Sequence, residues 1–151
     1  MAPAEPPRPP SGSLPRYRGA LPYGWVLGDF AVRELLRWAP AAAIEVRWHG
    51  DLPEARRARL SAACERAGVP SRRDDAAVAE KRSKGSAQVL AVFAKHVARL
   101  APKLDHLVLV EPRDPGNLGA LHRTALAFGV EDLAVVGAAF VSLVSTWFTS
   151  G

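Results

Sequence analysis

The sequence predicts an α/β protein, and three observations lead there. Short apolar runs of strand length alternate with amphipathic stretches of helix length. Two of the runs, within 104–112 and 131–137, are continuously apolar, in the manner of parallel strands. The stretch between them carries a helical stripe closed by a glycine, so strand, helix and strand follow over the length of a βαβ unit. The 151 residues suffice for one ordinary domain or two small ones, and a composition 48% hydrophobic and 23% charged is that of a folded chain with a real core.

The elements are read in chain order. Residues 1–20 hold Pro3, Pro6, Pro7, Pro9, Pro10 and Pro15 with Ser and Gly between them, and are expected to be a disordered, polyproline-like tail, slightly basic through Arg8, Arg16 and Arg18. Order is expected from Tyr23, with a short strand or loop leading to a helix. Asp29 is placed to cap that helix. Its stripe is Val32, Leu35, Leu36 and Ala39, and Pro40 ends it. Residues 42–48, AAIEVRW, are β-branched and partly alternating and predict a strand. A second helix starts around Asp51, Pro53 and Glu54. It carries the stripe Leu60, Ala63, Cys64, Ala67 and stops at Gly68, with Arg56, Arg57, Arg59 and Arg66 on the other faces. Val69 is placed in a short strand, residues 76–85 in a short polar helix, and residues 87–94 in a buried strand.

After a linker at 95–103, the clearest strand of the chain is LDHLVLVEP, 104–112. The following helix is expected from about Leu118 to Phe128. Leu121, Ala125 and Phe128 form its apolar face, Arg123 lies off it, and Gly129 is its stop. The chain therefore divides near residue 97 into a small α/β module and the opening of a parallel α/β domain. With two strands and one helix, that second part is too small to cover both faces of its own sheet.

No apolar run approaches the roughly 20 residues needed to span a bilayer, and the N-terminus lacks the apolar core of a secretory signal. The single cysteine excludes an internal disulfide and a zinc site built from several thiolates, so no metal is expected, and a reducing, cytoplasmic location is. Cys64 itself reads as a core residue. Lys and Arg number 20 against 15 Asp and Glu, a net charge of +5. That tilts towards a polyanionic partner, although an excess of Ala, Arg and Pro also marks GC-rich coding.

Residues 111–119 occupy the place where open parallel sheets bind ligands, beyond the carboxyl end of a strand. Pro112 and Pro115 stiffen this turn, and Gly116 and Gly119 permit close backbone approach. The following helix offers amides to an anion and Arg123 offers a guanidinium to a phosphate or a ribose hydroxyl. A solvated Arg beside an ordinary turn is the plainer reading of the same spacing. The Gly-Lys-Ser/Thr of a P-loop and the G-x-G-x-x-G of a dinucleotide site are both missing. His122 has no nucleophile or carboxylate motif beside it and is read as a surface or helix-face histidine.

The string itself carries more. Residues Pro115 to Gly129, PGNLGALHRTALAFG, closely resemble the first signature motif of the SpoU-type (TrmH) RNA methyltransferases of the knotted SPOUT superfamily. HLVLVE before it and DLAVVG after it fit the same pattern, so the resemblance covers residues 104–137. Upstream, GWVLGDFAVRELLR, ACERAGVP and EKRSKGSAQVLAVFA resemble an RNA-recognition domain, built like a small ribosomal protein of α/β/α type, that many members carry. There members often have His-Gln-Gly and this chain has Ala87 and Gln88. After the tail at 1–20, the resemblance thus implies an RNA-recognition domain at 21–96, and at 104–151 the first βαβ part of a SPOUT domain with the knot missing. It further implies methyl transfer from S-adenosylmethionine to a ribose 2′-hydroxyl of rRNA or tRNA.

Asn117 and Arg123 match the catalytic Asn and Arg of the motif, and the arginines Arg56, Arg57 and Arg59 suit phosphate contacts. An Arg with a pKa above about 12 is a poor base at neutral pH, so Arg123 is better suited to orienting the hydroxyl and stabilising developing charge. The second and third motifs, a Gly-Asn-Glu-rich loop and an Asn-Val-Ser-like stretch, do not occur in the 151 residues, and residues 138–151 are apolar instead. No cofactor-binding residue is therefore assigned. The expectation is a truncated or frame-shifted product, a fragment of a longer protein, or a short protein that kept RNA binding, inactive as it stands. Members homodimerise through the knotted domain, which this chain is not expected to do. The reading from a different class is a non-catalytic RNA-binding module. A generic small-molecule enzyme has only the strand-end loop in its favour.

Overall fold

The computed structural model describes residues 12–16, 20–82, 87–95, 100–113, 115–130 and 132–136. They fall into two compact units, one built on residues 21–94 with 12–16, the other beginning at Lys95. Both units are α/β.

The first unit runs β1 (Tyr23–Leu27), α1 (Asp29–Trp38), β2 (Ala43–Trp48), α2 (Glu54–Ala67), β3 (Ser71–Arg73), α3 (Asp75–Lys81) and β4 (Val89–Ala94). Its sheet has the order β1-β4-β2-β3. β4 lies antiparallel to both β1 and β2, and β3 lies parallel to β2. β4 is the central strand, and Val89 to Phe93 are all fully buried, as a continuous apolar run covered on both faces must be. On one face Leu90 and Val92 pack with Tyr23, with Val78 from α3 and with Leu14, while Trp25, Leu27 and Ile44 edge the cluster. The other face turns Val26, Ala91 and Phe93 outward from the same register. α1 and α2 are the helices left to cover it, through Val32, Leu35, Leu36, Leu60 and Cys64.

Several expectations shift by a residue or two. Asp29 is the first residue of α1, not its cap. The cap position belongs to Gly28, at φ 94° and ψ 151°, a backbone conformation open to glycine alone. The Asp29 carboxylate is thereby free to hold Arg56 on α2 at 2.7 Å. α2 ends at Gly68 in the left-handed conformation, as its sequence predicts. The short strand is Ser71–Arg73 and Val69 precedes it, buried. α3 is capped by Asp74, whose carboxylate accepts from the Ala77 amide at 3.1 Å. Cys64 is buried as expected, and burial raises its thiol above the usual range.

The disordered tail is the larger correction. Leu14 is fully buried in the core, the Gly12 carbonyl accepts from Arg47 Nη1 at 2.7 Å, and the Pro15 carbonyl accepts from Lys81 Nζ at 3.1 Å. One leucine among prolines looks like tail composition, yet prolines cost little entropy to fix, and the leucine pins the segment. Residues 1–11 and 17–19 lie outside the described residues.

The second unit contains β5 (His106–Val110), α4 (Pro115–Ala127) and β6 (Asp132–Val136), with β5 and β6 parallel from His106↔Asp132 to Val110↔Val136. Asp132 fastens its near end: it accepts from the Ala101 amide at 2.6 Å and lies 3.3 Å from His106 Nε2. The βαβ order is the one the sequence predicts, but β5 is not buried on both faces. Val108, Val110 and Val136 are exposed, and the two strands and one helix among the described residues supply too little cover for them. The 138–151 segment lies outside the described residues. Among them, no helix is long and apolar enough to cross a membrane.

Candidate functional site

β5 ends in an irregular backbone. Glu111, the residue just past it, sits at φ 48°, the one non-glycine residue with positive φ among those described. Its amide donates to the Val136 carbonyl at 2.7 Å, so pairing with β6 holds the conformation. Strain of this kind gathers at functional sites. Pro112 and Arg113 follow, and α4 starts directly at Pro115, a residue suited to a first helical position because its missing amide costs the helix nothing there.

The sequence places Asn117 in the turn, and it lies instead in the first turn of α4, exposed. Arg123 lies further along the same helix, also exposed. Side chains on a helix lean towards its N-terminus, and Arg123 follows this. Its Nη1 stands 3.5 Å from the point a Cβ on Gly119 would occupy. The guanidinium thus lies back one turn, over Gly119, towards the N-terminal end of α4. Asn117 stands in the first turn of α4 and Arg123 reaches back to Gly119, towards the end where backbone amides favour an anion. Such an arrangement can bind a phosphate or hold a hydroxyl while negative charge develops on its oxygen.

The buried face of α4 differs from the predicted one. Leu118, His122 and Ala125 are buried, whereas Leu121 and Phe128 are 45% and 82% exposed. Both stripes have helical spacing and share Ala125, so spacing alone could not choose between them. Of the two alternatives for His122, the structure rejects the surface one: it is a helix-face histidine turned inward. It is 5% exposed, and burial lowers its pKa from the ordinary value because a charged imidazole would lose its water there. Its neighbour Arg123 points the other way, and that much was legible.

The arginines of the first unit are spread over α2. Arg56 is held by Asp29 and donates from Nη1 to Gln88 Oε1 at 2.9 Å. Arg57 pairs with Glu54 and lies over the Trp48 ring, 5.3 Å from its centroid. Arg59 is exposed and makes no ion pair with any described residue. The sequence reading missed Arg47, whose side chain is wholly buried. It donates from Nε to Glu45 Oε1 at 2.6 Å and lies 3.1 Å from Asp74 Oδ2. The only hint in the sequence is the i, i+2 spacing of Glu45 and Arg47, which puts both on one face of β2.

No protein-family model matches the chain, and no curated protein matches it at a significant level. Among solved structures, it is similar to an AdoMet-bound rRNA methyltransferase from Sinorhizobium meliloti. The TM-score is 0.52 at 19% identity, over 85% of this chain and 49% of that one. The chain thus spans about half the length of the structure it matches, and the likeness is one of fold: an α/β architecture found in an rRNA methyltransferase.

Proposed function

We propose that the chain forms the RNA-recognition domain and the opening βαβ segment of a cytoplasmic, S-adenosylmethionine-dependent RNA methyltransferase of SpoU type, acting on a ribose 2′-hydroxyl of rRNA or tRNA. The observation that carries this reading is Arg123 lying back along α4 over Gly119, on the helix that carries Asn117 in its first turn and follows the strained end of a parallel strand. The match of residues 115–129 to the family's first motif and the fold shared with an rRNA methyltransferase support it.

In this reading Arg123 donates to the 2′-oxygen, orients it, and stabilises the charge that develops as its proton leaves; Asn117 steadies the turn or the substrate. S-adenosylmethionine supplies the methyl group when bound. The residues that hold it in the resembled family belong to its second and third motifs. Residues 104–137 carry neither, so no step here is derived through the cofactor.

Calorimetric titration tests the reading. The 151-residue chain should show no specific binding of S-adenosylmethionine, and a chain extended by a segment with the second and third motifs should bind it. In the extended chain Arg123→Ala should lower kcat by about 10²-fold or more, as loss of a charge-stabilising donor does, with little change in RNA affinity. Unchanged kcat in that variant would remove Arg123 from the mechanism.

The second reading, a non-catalytic RNA-binding module, draws on the arginines of α2 and the net positive charge. The salt dependence of RNA binding by variants at α2 and at Arg123 separates it from the first.

A further inference from the structure

Beside α2 is a pocket of about 360 Å³ that no part of the proposed chemistry uses. Trp48 at the end of β2, Ser71 at the start of β3, and Glu54, Arg57, Ala58 and Ser61 on α2 line it. Its volume lies at the lower end of the range for small-molecule sites and suits one planar heterocycle. Arg57 already lies over the indole of Trp48, so that ring face accepts a flat, delocalised group. Glu54, 77% exposed, holds Arg57 there through an ion pair at i, i+3.

We propose that this pocket takes one unpaired guanine base of an RNA strand. The inference rests on reading the chain as part of an RNA-modifying protein. The base stacks on Trp48 in place of the Arg57 guanidinium, as single-stranded bases stack on aromatic side chains in other RNA-binding proteins. Both members of the displaced pair gain new partners. The Glu54 carboxylate, an acceptor only, takes the N1–H and the exocyclic amino group of guanine, the one base with two adjacent donors on its pairing edge. Arg57 turns to the 5′ phosphate of the same nucleotide. The exchange is cheap because an exposed ion pair contributes little by itself. The Ser61 and Ser71 hydroxyls remain for the sugar and the base carbonyl.

The test is an anisotropy titration of the full chain with labelled, unstructured oligouridylates that carry one central guanosine, adenosine or inosine. The guanosine strand should bind about tenfold tighter than the adenosine strand, in line with the discrimination one bidentate contact to a base edge gives. Inosine, which lacks the amino group, should fall between them. Glu54→Gln should erase the preference. Ala58→Trp, at an exposed helix position, should fill the pocket and do the same, whereas Trp48→Phe should keep most of it. Unfolding midpoints show that the variants are folded.

If the chain binds all three strands alike, and neither Glu54→Gln nor Ala58→Trp changes that, the pocket assignment is overturned while the proposed function stands. If the chain binds no RNA at all, both fall. Guanosine monophosphate competing as well as the guanosine strand would assign the pocket to a free nucleotide and overturn the RNA assignment.

Discussion

Arg47 has the largest of the fully buried side chains, and its charge is answered from three places: Glu45 on its own strand, Asp74 at the cap of α3, and the Gly12 carbonyl. A buried ion pair adds little net stability, but breaking one strands its partner. Arg47→Met leaves Glu45 and Asp74 with Arg72 as a remaining cation and should cost about 3 kcal/mol in urea unfolding, the lower end for a broken buried pair. No local pattern announces such a network, because residues 12, 47 and 74 meet only once the sheet has formed. His122 is a second case. Its pKa is lowered in the folded chain, so on acidification the unfolded chain takes up the proton first. The stabilising contribution is complete above about pH 6.5 and is lost as pH falls through the lowered folded value. Urea midpoints for α4, followed by NMR, should fall between about pH 7 and pH 5, and the part of that fall due to His122 should vanish in His122→Leu.

At the scale of elements, what could be read was whatever is coded locally. The α1 stripe, the Gly68 stop and the continuous β4 run were legible because spacing and a positive φ are properties of a few consecutive residues. The choice of buried face on α4 was not, since it depends on what the helix meets. Nor was the role of residues 12–16, where five unremarkable residues lie across the sheet and one leucine anchors them. Leu14→Ala should destabilise the first unit by about 2–5 kcal/mol in urea unfolding, the range for a fully buried leucine. It should also expose the segment to proteases. An unchanged midpoint would mean that the segment merely rests on the surface. At the candidate site, Asn117 and Arg123 were singled out as catalytic only through their motif. The strained Glu111 backbone and the pocket under Trp48 were invisible, because each depends on a neighbour distant in sequence.

For the whole molecule, the proposed function asks which surface would hold an RNA. Charge on α2 predicts that Glu at positions 56, 57 and 59 weakens RNA binding and flattens its salt dependence. The slope of log K on log salt should shrink by about 0.7 for each phosphate of a single strand that is no longer neutralised. Under the proposed function Arg123→Ala should leave affinity nearly unchanged, because its contact would be to the reacting group. If the three reversals leave the slope intact, recognition does not run through α2. The core beneath that helix carries a convenience of its own. The chain has a single sulfhydryl, Cys64, 2% exposed and kept protonated by its surroundings. A thiol-reactive dye meets that sulfur only when α2 lifts from the sheet. The rate of labelling is thus a native clock for the opening of the first unit, readable on the unaltered chain.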